Sequence, residues 1–392
     1  MSLSLTNPAA NHLTKRKEKT MIKRLLNYSP KEMLQLTSEE LFYAMKMDEG
    51  RTVEGLANCA APNYLKDTSN AEVCAAFGCD VVFLDGHNPD NVVFPGLPSK
   101  NPEDDTPYKF LTTGIGKGWS VRDVRTLIGR PLACGLYIDP DCSGNLNKVK
   151  YNGVYASREN IEKVIEEGFD IIGVYGWAKP EILVDLVKSV ADQINGRAVF
   201  EVGFMSGPGA NYLQDIPYDM RKLFDKELAA KLVKNGAQIV HMPGVGTFPG
   251  FDMKYIGDII DAVHEERGLA SIGVHSAQEG ADVNTIRRIA IDNKLIGADI
   301  QVMGDTGVNN GMALPETLQA MCVALKGHRH IYRRLCESVM RCDMSFFENT
   351  RKPVGFGGKI MVAMMNVGHS AVARWGLQFL NAAPFQFFQL IF

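Results

Sequence analysis

In this 392-residue sequence, carboxyl and imidazole groups recur at the ends of short apolar runs, and that pattern is the first sign of chemistry. Glu54 and Asn58 lie in one run, and Asp85 and His87 close the next in Leu-Asp-Gly-His-Asn. Asp139 and Asp141 follow a third, Tyr175 ends a fourth, Glu201 lies in a fifth, and His241, His275 and Asp305 end three more. Such groups, gathered at one place, are costly to desolvate unless they are paired, bound to metal or used in proton transfer. Asp85, Glu201, His241, His275 and Asp139 are therefore the candidate catalytic residues, and Asp85, Glu201 and Asp305 the candidate ligands of a divalent metal. Carboxylates with imidazoles suit Mg2+, Mn2+ or Zn2+. An imine mechanism would need a desolvated lysine on a strand. The nearest, Lys179 in Trp-Ala-Lys-Pro, reads instead as the start of a helix.

A repeating unit marked by glycine must position these groups. Gly50, Gly78, Gly129, Gly168, Gly196, Gly236, Gly268 and Gly297 each stand beside an apolar, β-branched run. The runs are 51–60, 80–86, 131–139, 169–176, 198–205, 238–246, 270–276 and 298–304. Amphipathic helical text precedes most of the glycines; in 157–167, Ser157 can cap a helix whose stripe is Ile161, Val164 and Ile165. Near-continuous apolar strands alternating with helices imply a parallel sheet covered by helices, and eight such units imply a closed (β/α)8 TIM barrel. The long links all follow strands, at 88–119, 140–156 and 206–223, which is the side where barrels carry their sites. The first of them, with Pro89, Pro95, Pro98, Pro102 and Pro107, reads as a semi-rigid lid. The loops after the last two strands are candidates for phosphate, through Ser276, Gly304, Thr306 and Gly307, because glycine lets backbone amides approach an anion.

Around the barrel (22–335), residues 1–21 read as a polar extension, and 22–49 as a preliminary helix plugging the barrel bottom. A helix is expected over 311–335, and 336–392 as a helical extension whose apolar text would suit a contact in a homo-oligomer. Lys and Arg number 42 against 45 Asp and Glu, so no polycationic surface points to nucleic acid. No apolar run reaches the roughly 18 residues of a membrane helix. Eight cysteines without a Cys-x-x-Cys spacing read as reduced thiols of a cytoplasmic protein.

Two segments resemble a phosphatase family. Leu-Tyr-Ile-Asp-Pro-Asp-Cys-Ser-Gly (136–144) is similar to the nucleophile loop of haloacid-dehalogenase-type phosphatases, and Met-Gly-Asp-Thr-Gly-Val-Asn-Asn-Gly (303–311) to their metal loop. That resemblance implies Asp139 as nucleophile, Asp141 as acid/base and Asp305 as a Mg2+ ligand, although Asn310 stands where an acid is expected. More broadly, residues 22–376 resemble an uncharacterised bacterial barrel family loosely labelled phosphonomutase-like or haloacid-dehalogenase-like and associated with sugar phosphotransferase gene clusters. Arg-Leu-Leu-x-x-Ser-Pro-Lys-Glu (24–32) and Glu-Gly-Arg-Thr-Val (49–53) carry this resemblance, which implies a phospho-sugar or phospho-acid setting. The Lys-Cys-Gly-His motif of phosphonomutases and isocitrate lyases is absent.

The leading expectation is a metal-assisted lyase or isomerase acting on a small phosphorylated carbohydrate or acid. The alternatives are a Mg2+-dependent phosphatase using Asp139, and a non-catalytic barrel that senses a phosphorylated metabolite.

Overall fold

The structure, a computed structural model, describes residues 22–59, 62–108, 114–139, 141, 143–147, 153–176, 178–204, 221, 224–275, 278–306 and 313–337. Within them eight parallel strands close into a barrel in chain order. Two short helices, α1 (Pro30–Met33) and α2 (Ser38–Lys46), come first. Strands and helices then alternate: β1 (Thr52–Asn58), α3 (Asn70–Ala76), β2 (Val81–Asp85), α4 (Val121–Ile128), β3 (Leu132–Tyr137), α5 (Arg158–Glu167), β4 (Ile171–Tyr175) and α6 (Pro180–Ile194). The second half runs β5 (Val199–Gly203), α7 (Lys226–Lys234), β6 (Ile239–Pro243), α8 (Met253–Glu265), β7 (Leu269–Val274), α9 (Val283–Leu295), β8 (Ile300–Thr306) and α10 (Pro315–Lys326), with α11 (His328–Cys336) last. The expected (β/α)8 barrel is the fold, and each expected strand is present. No helix among the described residues is long and apolar enough to cross a membrane.

Local sequence explains where the helices start. Ser69, Ser120, Ser157, Asp225, Asp252 and Asp282 precede helices, and each side chain accepts a hydrogen bond from a backbone N–H of the first turn. Lys179 is the residue before α6, whose first turn carries Pro180, as the missing amide of proline favours. Gly168 ends α5 in the left-handed region at φ +91°. Before β7 that task falls to Arg267, at φ +68°, rather than to Gly268. The single helix expected over 22–49 is two, because Thr37 and Glu40 form a capping box that begins a second. The helix expected over 311–335 is likewise divided, at Gly327 with φ +76°.

The inside of the barrel is filled from below. Ile171, Val199, Ile239, Leu269 and Ile300, each the first residue of its strand, pack with Leu25, Met33, Leu41 and Met45 of the N-terminal segment. The segment thus closes the lower end and leaves the upper half of the interior to other side chains. A buried ionic cluster fixes the last helices to this base: the Asp80 carboxylate accepts from Lys326 Nζ at 2.6 Å, Arg334 Nη2 at 3.0 Å and the Val53 amide at 3.0 Å. Above β2, the buried Asp105 ties the long loop, accepting from the Ser99 amide at 2.8 Å and the Ile115 amide at 2.9 Å.

Candidate active site

Alternation along the strands decides which side chains enter the upper half, since residues two apart share a face. Gly173 and Tyr175, Glu201 and Gly203, and Ser271 and Gly273 are such pairs on β4, β5 and β7. The register sets Gly135 beside Gly173, Gly173 beside Glu201, Gly203 beside His241, and His241 beside Ser271. The glycines make room for rings. A Cβ on Gly135 would come within 2.8 Å of the Tyr175 ring, and one on Gly173 or Gly203 would overlap it. A Cβ on Gly273 would overlap the His275 imidazole and lie 2.9 Å from His241. Glycine inside a strand weakens it, and here the missing side chains admit three rings to the barrel.

The polar groups so admitted form one connected set. Glu201 is 1% exposed, with the hydroxyls of Tyr175 and Ser271 close enough to act on its carboxyl. His241 Nδ1 lies 3.0 Å from Ser271 Oγ and 3.5 Å from Glu201 Oε1. His241 Nε2 lies 3.1 Å from His275 Nε2, the two rings meeting edge to face. Glu54, on β1, is buried and within electrostatic reach of Glu201. Glu201 Oε1 has no hydrogen-bond partner among the described residues. The cavity over this set is about 30 Å3, bounded by Glu54, Asp85, Tyr137, Tyr175, His241 and His275 with apolar side chains between them. That volume holds about a water or two.

Burial sets the proton affinities. It raises Glu201 to about 7, against the lowering effect of the nearby Tyr175 and Ser271 hydroxyls. Burial, then the nearby Glu201, raises Glu54 well above the carboxylate range. Tyr175 is raised by burial and by Glu201 and Glu54. The imidazoles move the other way: burial lowers His275 to about 4, and burial with the neighbouring His275 lowers His241 well below its ordinary value. Burial therefore favours the uncharged forms of both imidazoles and of Glu54, and leaves Glu201 poised between its two states near neutral pH.

Of the expected residues, Glu201, His241 and His275 come together, and Asp85 joins the cavity wall, where its carboxylate accepts from the Tyr137 hydroxyl at 2.8 Å. His87 turns away; its Nε2 is 2.8 Å from Glu167 Oε2 on α5, and its ring sits against Phe94 and Phe169. Asp139 holds its own loop, accepting from the amides of Asp141, Ser143 and Gly144 and from the Ser143 hydroxyl. Those bonds engage both of its oxygens, which does not suit a nucleophile, and a closed barrel is not the setting of the phosphatase motif. Ser276, Gly307 and Asn310, and the side chains of Asp305 and Thr306, lie outside the described residues. So do residues 1–21 and 338–392. Gly304 is described, and its missing Cβ faces the Val274 carbonyl oxygen at 3.0 Å, His275 Nδ1 at 3.2 Å and the Glu279 carboxyl carbon at 3.5 Å. As to the expected divalent ion, no group of three or more His, Cys, Asp or Glu among the described residues could hold a metal.

Ser271 and Glu279 are the residues the sequence reasoning missed. Ser271 was legible from alternation, as the one hydroxyl on the inward face of Leu-Ala-Ser-Ile-Gly-Val. Glu279, buried on the turn Gln278–Gly280 after β7, had no such periodic signal.

Residues 26–341 match the model of a family described as a domain of unknown function, DUF7916. The chain belongs to this family. No curated protein matches it. Solved structures similar to this family member include a protein designated a lyase/mutase from Burkholderia cenocepacia J2315, at 12% identity and TM-score 0.39, the match covering 70% of this chain and 82% of the other. A protein designated a fructose-1,6-biphosphate aldolase, from Coccidioides immitis, gives 15% and 0.40 over 76% and 96%. The dihydrodipicolinate synthase of Oceanobacillus iheyensis gives 13% and 0.39 over 83% and 89%. Likenesses of this size carry no inference about activity.

Proposed function

We propose that this chain is an enzyme of the lyase or isomerase class, which moves a proton on a small carbohydrate or acid. The observation that carries the reading is Glu201, buried at the top of the barrel with one oxygen lacking a hydrogen-bond partner among the described residues and a pKa of about 7. A general base or acid works best when its pKa lies near the working pH, and burial beside Tyr175, Ser271 and the imidazoles supplies that condition. A merely structural carboxyl in the same place would cost free energy without return.

The lining also orients the substrate. The described cavity wall carries Glu54 and Asp85 but no lysine or arginine, so a hydroxyl or carbonyl end enters and a phosphate, where the substrate has one, stays at the rim. No step is assigned to a metal. The test is solvent exchange: purified protein is incubated in D2O with small aldoses, hydroxy acids and oxo acids, with and without a phosphate group. Deuterium should enter a carbon-bound position of at least one compound, and Glu201→Gln should stop it. A compound that binds without exchanging on any carbon would instead favour the sensing role.

A further inference from the structure

The lower rim of the barrel repeats one device. The residue before each even-numbered strand, Asp80, Asp170, Gln238 or Asp299, accepts a backbone N–H from near the start of the strand before it. The donors are Val53 at 3.0 Å, Leu132 at 2.8 Å, Phe200 at 3.1 Å and Ala270 at 2.8 Å. Where the acceptor is a carboxylate, a basic side chain from the helix layer fills the space beside it. Lys326 and Arg334 do so for Asp80, Arg125 for Asp170 through two nitrogens at 2.8 Å, and His264 for Asp299 at 2.7 Å. Arg125 and His264 come from the helices that lead into β3 and β7. The helix that leads into β5 is α6, and its last turn carries no basic residue. The acid is missing there too, since Gln238 takes its place. This unit keeps a cleft of about 580 Å3 over Phe200, lined by Asp192, Asn195, Asn235 and Gln238 with Lys188 and Lys234. Its size falls within the roughly 300–1,000 Å3 of small-molecule sites.

The charges around the cleft are already balanced. Lys188 Nζ lies 3.1 Å from Asp192, and Lys234 Nζ 3.0 Å from Glu266. Both α6 and α7 end at the cleft, and the C-terminal end of a helix carries partial negative charge, which disfavours an anion. The two lysines disfavour a cation. What remains is hydrogen bonding by amides. Gln238 spends its oxygen on the Phe200 N–H and keeps its NH2 group as a donor. Asn235 spends its Nδ2 on the Lys231 carbonyl oxygen at 2.8 Å and keeps its oxygen as an acceptor. Asn195, the left-handed cap of α6, brings both kinds of group. A hydroxyl also donates and accepts, so a compound with several hydroxyls matches this mixed set, and the apolar floor of Ala198 and Phe200 suits its C–H groups. We propose that the cleft is a second binding site, at the opposite end of the barrel from His241 and His275, for a neutral polyhydroxy compound, a free sugar or polyol.

Proton–nitrogen spectra of the side-chain amides in the full chain read the site directly, with Asn195→Gly, Asn235→Gly and Gln238→Glu assigning the signals. The probes are glucose, mannitol and glycerol, with glucose 6-phosphate and glucosamine as anionic and cationic counterparts. Saturable shifts of the Asn195, Asn235 and Gln238 amides are expected with at least one neutral probe, and the two charged probes should bind more weakly than it does. Gln238→Glu keeps the shape and an acceptor for the Phe200 amide, as the acids at the other three positions do, but removes the donor. It should weaken binding about tenfold or more. No saturable shift of these amides with any neutral probe would overturn the proposal. So would tighter binding of either charged probe, or a Gln238→Glu variant that binds as well as wild type. The wild-type titration stands even where a variant fails to fold. A sugar held only at the mouth leaves these amides unmoved, so the result is separate from that of the exchange experiment.

Discussion

Exchanging Glu201 for glutamine removes a titrating group while keeping its shape, and the consequence for stability can be worked out in advance. In the folded chain Glu201 releases its proton at about 7, against an ordinary 4.5. Each unit of difference corresponds to about 1.4 kcal/mol, so the folded state gives up roughly 3 kcal/mol across the interval. The sign follows from proton counts. Between pH 4.5 and 7 the folded state keeps the proton that the unfolded chain has lost, so stability falls as pH rises through this window and levels off above it. His275 works in the opposite direction, its folded pKa of about 4 lying below the ordinary 6.5, so its contribution is lost as pH falls from 6.5 to 4. Both proteins contain that histidine, and the difference between them isolates Glu201. Urea unfolding of wild type and Glu201→Gln at a series of pH values supplies the comparison. Relative to wild type, the variant should gain roughly 3 kcal/mol between pH 4.5 and 7. A difference that stays flat across this window would refute the reasoning.

Gly273→Ala should cost roughly 1–3 kcal/mol by overpacking and separate the His241–His275 pair, read as a lowered melting temperature and altered imidazole signals. Asp139→Asn should loosen the 139–144 loop at a cost of about 1–2 kcal/mol yet leave D2O exchange intact, because its carboxylate serves the backbone of that loop. Lys326→Met should cost about 3 kcal/mol or more in denaturant unfolding, since it removes one of the two cations that compensate the fully buried Asp80.

The barrel was legible because its signals are local and repeated. Eight apolar runs, each introduced by a glycine or its neighbour, state strand, turn and helix in a fixed order, and parallel strands buried on both faces have few other arrangements. The pairing of His241 with His275 was legible from their places on, and just beyond, adjacent strands. What the sequence did not disclose is which polar groups touch. His87 stands two residues beyond a strand end, as a site residue might, but Gly86 at φ +68° turns the chain and the imidazole meets Glu167 instead. Asp139 fits a phosphatase motif in one dimension, while in three its oxygens are taken by the amides that follow it. The role of Gly135, Gly173 and Gly203 depends on strand register, because the ring that fills their space comes from Tyr175. Such spacing between strands has no fixed separation along the chain.

The account stands on one carboxyl group changing its protonation near neutrality inside the barrel. Infrared difference spectra taken across pH, comparing wild type with Glu201→Gln, observe that group directly. The account predicts a protonated carboxyl band that disappears with a midpoint near 7 in wild type and is missing from the variant. A Glu201 carboxylate already fully ionised at pH 5, with no such band lost on substitution, would contradict it.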